Sequence, residues 1–499
     1  MFRPDSFAKQ RQICHARKTP SFFRASPFFA RLCQLRVLDK DRYRCKKAEV
    51  QTAEARGAWI LGPGISERVR LMRNVAASRR RFLKTAAASL AVPCYVPARV
   101  LGAAGRPGAN ERIRVGLIGA GHRSRDLINE SPADLELVAV ADCDRRMIGS
   151  FLSELQPLDG SMVATKCAPY QDYRQMLSRE RLDAVFVATT THARVLACLH
   201  AMQAGLDVFA EKPLTLTIEE GQYLVRAEQK YQTVFQVGTQ QRSIAINNFG
   251  SDLIRRGAIG KVLTVRCPNF PGPGPLPPFP AEPVPPEMDW DLWCNQAELA
   301  PYSAELHPGL GRWARYRPFC GWLVTGWVHA FDQIQCALGT DDTGPVEVWP
   351  AGPGSAAPVS LRYASGTILR ADLPEDRGPQ MGGVFTGEQG RIEINRNRLA
   401  ANPPELIRDA PPPADKSEYA SVSHEHIADW VRCMRTREKP VASAIVGHRS
   451  TILCHLINIC RELGRKLRWD PDKEEFLDDP EANSLRSRKR RAGFELPQI

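Results

Sequence analysis

A lysine lies between an acid and a proline in Ala210-Glu-Lys-Pro-Leu214, about 90 residues after a glycine turn in Ile113-Arg-Val-Gly-Leu-Ile-Gly-Ala-Gly-His-Arg-Ser124. A partly desolvated ammonium has its pKa lowered toward the range in which it can exchange a proton. The glycines do different work. Gly119 permits a tight turn after an apolar run, and Gly121 lets backbone approach a pyrophosphate at the start of the next helix. A dinucleotide beside a proton-exchanging lysine is the equipment for hydride transfer. Gly119, Gly121, His122, Arg123, Glu211 and Lys212 are therefore the first candidates for cofactor contact, with Lys212 also a catalytic candidate.

The context strengthens the glycine motif, which is weak alone. Asp142 ends the next apolar run, where a carboxylate can accept hydrogen bonds from an adenosine ribose. It would repel a 2′-phosphate, so NAD is expected over NADP. Arg145 and Arg146, just beyond, keep NADP open. A third apolar run ends in Ala188-Thr-Thr-Thr-His192, which adds Thr189 and His192 as cofactor-binding candidates; a histidine near a helix N-cap is the alternative for His192. Ser124 stands where a third glycine is usual, which is expected to weaken close helix–sheet packing.

These residues need a frame that delivers strand ends to one edge. Strands are expected at Ile113–Ile118, Leu135–Ala141, Ala184–Ala188, Asp207–Ala210 and Thr233–Val237, with helices at Arg194–Ala204 and Thr217–Tyr231. Strand and helix alternating at this pitch predict an α/β, doubly wound parallel sheet of Rossmann type, placed at 111–236.

At 499 residues the chain is long enough for two domains with ample cores. Its net charge of +13 is unevenly spread. Residues 1–104 carry roughly +16 and the remainder roughly −3, so nucleic acid is not an expected partner. Ser78-Arg-Arg-Arg-Phe-Leu-Lys84 and the short, weakly apolar stretch after it read as an export signal, too short for a permanent span. The segment resembles a twin-arginine (Tat) signal, which implies export in the folded, cofactor-loaded state to a periplasmic or extracytoplasmic site. With the signal at 72–104, Met72 is the expected start, and 1–71 an over-extended or disordered leader. Fourteen cysteines show neither a disulfide framework nor zinc spacing, so no metal is expected.

From Ile113 onward the chain resembles the Gfo/Idh/MocA oxidoreductases, NAD(P)-dependent enzymes acting mainly on sugars and polyols. Gly119-Ala-Gly-His-Arg123, Glu211-Lys-Pro213, Val237-Gly-Thr-Gln-Gln-Arg-Ser243, Trp290-Asp-Leu-Trp293 and Gly447-His-Arg-Ser450 carry the likeness through their order and spacing. Lys466-Leu-Arg-Trp-Asp470 and Asp479-Pro-Glu-Ala-Asn483 resemble the exported branch. The resemblance implies a second, α+β domain at 237–465 with an open, mostly antiparallel sheet, and a homo-oligomer, dimer or tetramer. Its strands are expected at Lys261–Arg266, Val346–Trp349, Val359–Tyr363, Thr367–Leu373 and Arg391–Ile394, and helices at Glu425–Arg435 and Ile445–Leu463. His448 and His455 are expected to pack. Phe270–Pro286, with nine prolines, cannot be a central strand.

The resemblance also implies a catalytic partner for Lys212, the histidine that maps to His329. Such a residue can take or relay a proton near neutral pH. Exported relatives typically carry glycine, glycine and histidine where this chain has Trp322, Val328 and Ala330, and many members have an aspartate at Thr325. A narrowed or retuned pocket is expected, which puts activity on a typical sugar in question. Three functions stay open: a dehydrogenase of a carbohydrate or polyol with tightly held NAD(H), a glycosidase that uses bound NAD transiently, and an inactive binding protein. The basic run Arg486–Arg491 and the apolar residues after it, in the tail 466–499, are expected to pack on a neighbouring subunit.

Overall fold

The computed structural model describes residues 108–155, 166–307, 312–374, 378–414 and 419–499. The expected leader and export signal lie outside them.

Six strands, β1 (Ile113–Ile118), β2 (Leu135–Ala141), β3 (Ala168–Tyr170), β4 (Ala184–Val187), β5 (Asp207–Ala210) and β6 (Phe235–Val237), form an all-parallel sheet in the order β3-β2-β1-β4-β5-β6. Every residue of β4 and β5 is buried, which demands cover on both faces. Helices α1 (His122–Glu130), α2 (Arg145–Glu154), α3 (Tyr173–Arg179), α4 (Thr191–Gln203) and α5 (Ile218–Tyr231) follow successive strands. The chain reverses its winding between β1 and β4, and that opens a crevice at their carboxyl ends. Glycine turn, Asp142, Thr189 and Lys212 all lie at this edge. Strand β3 is not among the expected strands, because its three residues include no fully buried position and so leave no periodic signal.

The second sheet has nine strands: β7 (Val262–Pro268), β8 (Pro345–Pro350), β9 (Val359–Tyr363), β10 (Ile368–Leu373), β11 (Gly383–Gly387), β12 (Arg391–Asn395), β13 (Arg398–Asn402), β14 (Leu467–Asp470) and β15 (Glu475–Phe476). They run in the order β13-β12-β11-β7-β10-β9-β8-β14-β15, antiparallel except for the parallel pair β7–β10. Five further helices matter here: α6 (Ala245–Arg255), α7 (Trp290–Cys294), α8 (Trp322–Gly326), α9 (Val328–Leu338) and α10 (Tyr419–Thr436). They are followed by α11 (Ala444–Leu463) and α12 (Pro480–Ser484). One sheet face, with Val265, Leu361, Leu369 and Phe385, packs on Phe331 and Ile334 of α9 and Leu456 of α11. On the other face Arg266, Arg362 and Arg370 are exposed, the alternation of an open antiparallel sheet.

Two features of the far parts of the chain bear on what the sequence suggests. Helix α10, assigned by sequence to the second domain, returns to the first sheet. Ile427, Trp430 and Met434 join the core of Phe186 and Phe209, and Trp430 Nε1 donates to Val234 O. An amphipathic helix looks the same whichever sheet it covers, so the boundary at 237 misses this return. The basic tail makes contacts within its own chain. Arg490 pairs with Glu220 and Arg491 with Asp291, while Phe494 is buried in the core under α4 and α5. Removing that ring should loosen the tail: we expect Phe494→Ala to lose about 3 kcal/mol in urea unfolding. An unchanged midpoint would mean the tail contributes nothing to the fold.

The packing histidines are as expected. His448 is buried against Gly221 and bonds Glu474 at 2.9 Å, and buried His455 lies 3.1 Å from Thr215 Oγ1. Phe270–Pro286 contains no strand, its one bridge being Gly274 with Tyr316.

Candidate active site

The glycine turn is fixed from three sides. Gly119 has φ +95°, and a Cβ there would lie 2.8 Å from the Ala188 backbone, so β1 and β4 approach at a distance only glycine allows. Ser124 is fully buried and donates its hydroxyl to Gly119 O, which reverses the expectation of weakened packing: the hydroxyl ties helix to turn. Asp142 Oδ2 accepts the Ala120 N–H at 2.8 Å, and its Oδ1 accepts that of Asp144 at 2.9 Å. Burial raises the Asp142 pKa above the usual carboxylate range, although these two N–H groups oppose the rise. At Gly121 a Cβ would meet nothing within 4 Å, which leaves open space before the N-terminus of α1.

That space, the helix start behind it and the carboxylate at the end of β2 fit a dinucleotide's pyrophosphate and ribose. Thr189, at the end of β4, borders the same turn, since its backbone nitrogen would be 2.9 Å from a Cβ on Gly119. His122 is exposed at the first position of α1. Arg123 turns to other partners. Its Nε is 2.8 Å from Glu211 Oε1 and its Nη1 2.9 Å from Glu130, so it links the glycine-turn helix to the Glu-Lys-Pro segment. Glu211 is buried, and its pKa falls despite desolvation because Arg123 and Lys212 are beside it.

His192 is placed elsewhere. It is fully buried, its Nε2 is 2.8 Å from Trp293 O, and Trp293, Trp313 and Phe319 surround the ring. Burial drives its pKa down to about 4. The ring is committed to packing against the second domain, as a histidine in the first turn of a buried helix must be when one nitrogen is claimed by backbone.

Lys212 and His329 converge from different domains. Lys212 Nζ donates to Gly326 O at 3.2 Å, two residues before α9 carries His329. Desolvation lowers the Lys212 pKa, and Arg396, Arg123 and Arg194 lower it further against the pull of Glu211. His329 is buried with Nδ1 lacking a hydrogen-bond partner; burial and the Lys212 charge push its pKa well below the usual histidine value. It is therefore a neutral acceptor across the physiological range, not the near-neutral titrating group expected from sequence. Its backbone oxygen accepts from Gln241 Nε2 at 3.0 Å, and the same nitrogen donates to Met381 O at 2.7 Å.

Gln241 and Arg396 border the site without a sequence signal that marks them. Gln241 lies in a stretch already noted, Val237–Ser243, yet nothing in its type assigns it a role. Arg396, in the β12–β13 turn, acts on Lys212 and His329 through its charge. The expected pocket narrowing needs revision. Val328 and Ala330 are buried in the second-domain core, and Thr325 is buried with Oγ1 bonded to Trp322 O at 3.2 Å. Trp322 has φ +53°, where glycine is the unstrained choice, and its ring lies under Arg315.

Fold and site together define a two-domain dinucleotide-binding protein with a lysine and a histidine meeting at the domain seam. Two family models match: the oxidoreductase family's NAD-binding Rossmann fold over residues 113–239, and its C-terminal alpha/beta domain over 276–496. The chain belongs to the Gfo/Idh/MocA oxidoreductase family.

An inositol 2-dehydrogenase/D-chiro-inositol 3-dehydrogenase of Shouchella clausii is 28% identical over 159 residues, 31% of this chain and 44% of the relative. A glycosyl hydrolase family 109 protein of a Shewanella species is 25% identical over 159 residues, 31% of this chain and 34% of the relative. The matches thus span less than half the length of these curated relatives. The WlbA dehydrogenase of Bordetella pertussis, crystallised with NADH and UDP-GlcNAcA, shares the fold at 19% identity with a TM-score of 0.54; the match covers 73% of this chain and all of that one.

Proposed function

We propose that this protein transfers hydride between NAD and a carbohydrate or polyol, with the dinucleotide held through successive turnovers. The observation that carries the reading is Lys212 reaching across the domain seam to Gly326 O, with buried His329 near enough to feel its charge, at the crevice edge where the glycine turn and Asp142 also lie. Bound NAD would supply the hydride acceptor. The chain's part is to hold the alcohol and move its proton. Lys212, its pKa lowered by desolvation, can take the hydroxyl proton in its base form, and neutral, buried His329, with Nδ1 unpartnered, can accept a hydrogen bond that orients the same hydroxyl.

Support for NAD over NADP comes from the end of β2. Arg146 is engaged by Asp144, with Nη2 2.7 Å from Oδ2, so its charge is already balanced, and Asp142 would repel a 2′-phosphate. The export signal resembled by Ser78–Lys84 favours a retained cofactor, because folded export would carry the dinucleotide along. A second reading is supported by the family 109 relative: transient oxidation by bound NAD that labilises a glycosidic bond and returns the hydride.

Denaturing the purified chain and assaying the released small molecules tests the reading. Near-stoichiometric NAD(H), followed by turnover of sugars or glycosides, is the expected result. A chain that releases no dinucleotide and binds none when NAD is added would refute it. Net NADH formation separates dehydrogenase from glycosidase.

A further inference from the structure

Part of the second domain grips the first one beside Asp142. Arg145 N–H donates to Glu287 O at 3.0 Å, Asp289 N–H donates to Cys143 O at 2.9 Å, and Asp144 and Met288 form an antiparallel bridge. Gln171 Nε2 spans the two segments, 3.1 Å from Cys143 O and 3.0 Å from Glu287 O. From the same excursion His307 Nε2 reaches Asp144 Oδ2 at 3.0 Å, with both side chains buried. Burial alone would raise the Asp144 pKa; the bonds from His307 and Arg146 instead hold it well below the usual range, so His307 faces a carboxylate. Asp144 in turn donates its N–H to Asp142, and Asp142 accepts from Ala120 in the glycine turn.

We propose that His307 is a positioning residue for the adenosine half of the dinucleotide, and that residues 287–307 form the clasp through which it acts. The inference rests on the dinucleotide reading given above. Asp142 can serve ribose hydroxyls only if the β2–α2 turn holds its carboxylate in place. That turn is fixed from outside by one short backbone zipper and one charge-assisted bond. Without His307 one Asp144 oxygen loses a donor while Arg146 remains, so the turn loosens without unfolding.

The test uses the purified full-length chain and its His307→Ala and His307→Gln variants. Stopped-flow displacement gives release rates for NADH and for reduced nicotinamide mononucleotide, which lacks the adenosine half. His307→Ala should release NADH about tenfold faster, the scale of one charge-assisted hydrogen bond, with release of the mononucleotide unchanged. His307→Gln, whose amide still donates toward Asp144, should restore slow NADH release. Equal NADH rates in wild type and His307→Ala overturn the proposal. So does equal acceleration of both ligands, which is the mark of general loosening. A wild-type chain that binds neither ligand defeats the underlying reading, and with it this one, before any variant is made.

Discussion

Lys212→Ala should lower kcat/KM for the carbohydrate or polyol by about 10²–10⁴, the usual contribution of a positioned proton-transfer group, while weakening NAD(H) retention far less. The two readouts separate because Lys212 touches Gly326 O at the domain seam, whereas the glycine turn and Asp142 are held by their own bonds. The pH dependence follows from the direction of the two shifts. Lys212 is pushed below its usual value by desolvation first and by neighbouring arginines, so its base form grows in as pH rises through that lowered value. His329 is pushed well below 6.5, so it is neutral already and adds no break between about pH 6 and 7. Alcohol oxidation should thus rise along a single limb that levels off beneath the ordinary lysine range, and that limb should vanish in Lys212→Ala. A limb near 6.5 that survives in Lys212→Ala and is lost in His329→Asn would transfer the proton to the histidine.

Most of the first domain was legible because its signals are local. A buried parallel strand is a short apolar run, and β1, β2 and β5 have the expected bounds. The glycine turn and Glu211–Pro213 are readable for the same reason, each needing only its neighbours. What escaped depends on distant pairing. Asp144 and His307 are 163 positions apart, and neither is unusual alone. Arg123, a candidate for cofactor contact from its place in the glycine motif, is paired with Glu211 and Glu130, neither of which the motif foretells. Trp322, Val328 and Ala330 stand out in sequence as one cluster, added bulk at the first two and a lost polar group at the third, yet they divide in space. Trp322 takes the strained backbone, and the other two enter the core. Side-chain type predicts chemistry well where the backbone dictates the environment, and poorly where a second domain supplies it.

The same logic gives opposite expectations for two glycines two residues apart. Gly119→Ala forces a side chain onto φ +95° and into the Ala188 backbone at 2.8 Å, where neither β1 nor β4 can yield without disturbing the buried sheet. Strain and overpacking together should cost about 3 kcal/mol or more, so the variant should unfold at markedly lower temperature and carry no dinucleotide. Gly121→Ala is different: φ −74° is ordinary backbone, and the new methyl meets no protein atom within 4 Å. Its fold, compared in the dinucleotide-free state, should melt as wild type does. Yet the methyl stands before the N-terminus of α1, where the pyrophosphate must lie against backbone, so NAD(H) retention should fall by at least about tenfold. Thermal melts of stripped protein and the dinucleotide content of each purified variant measure both effects. If Gly121→Ala keeps its cofactor, the space before α1 is not the pyrophosphate site, and the dinucleotide reading loses its geometric basis even if the sheet is correct in every strand.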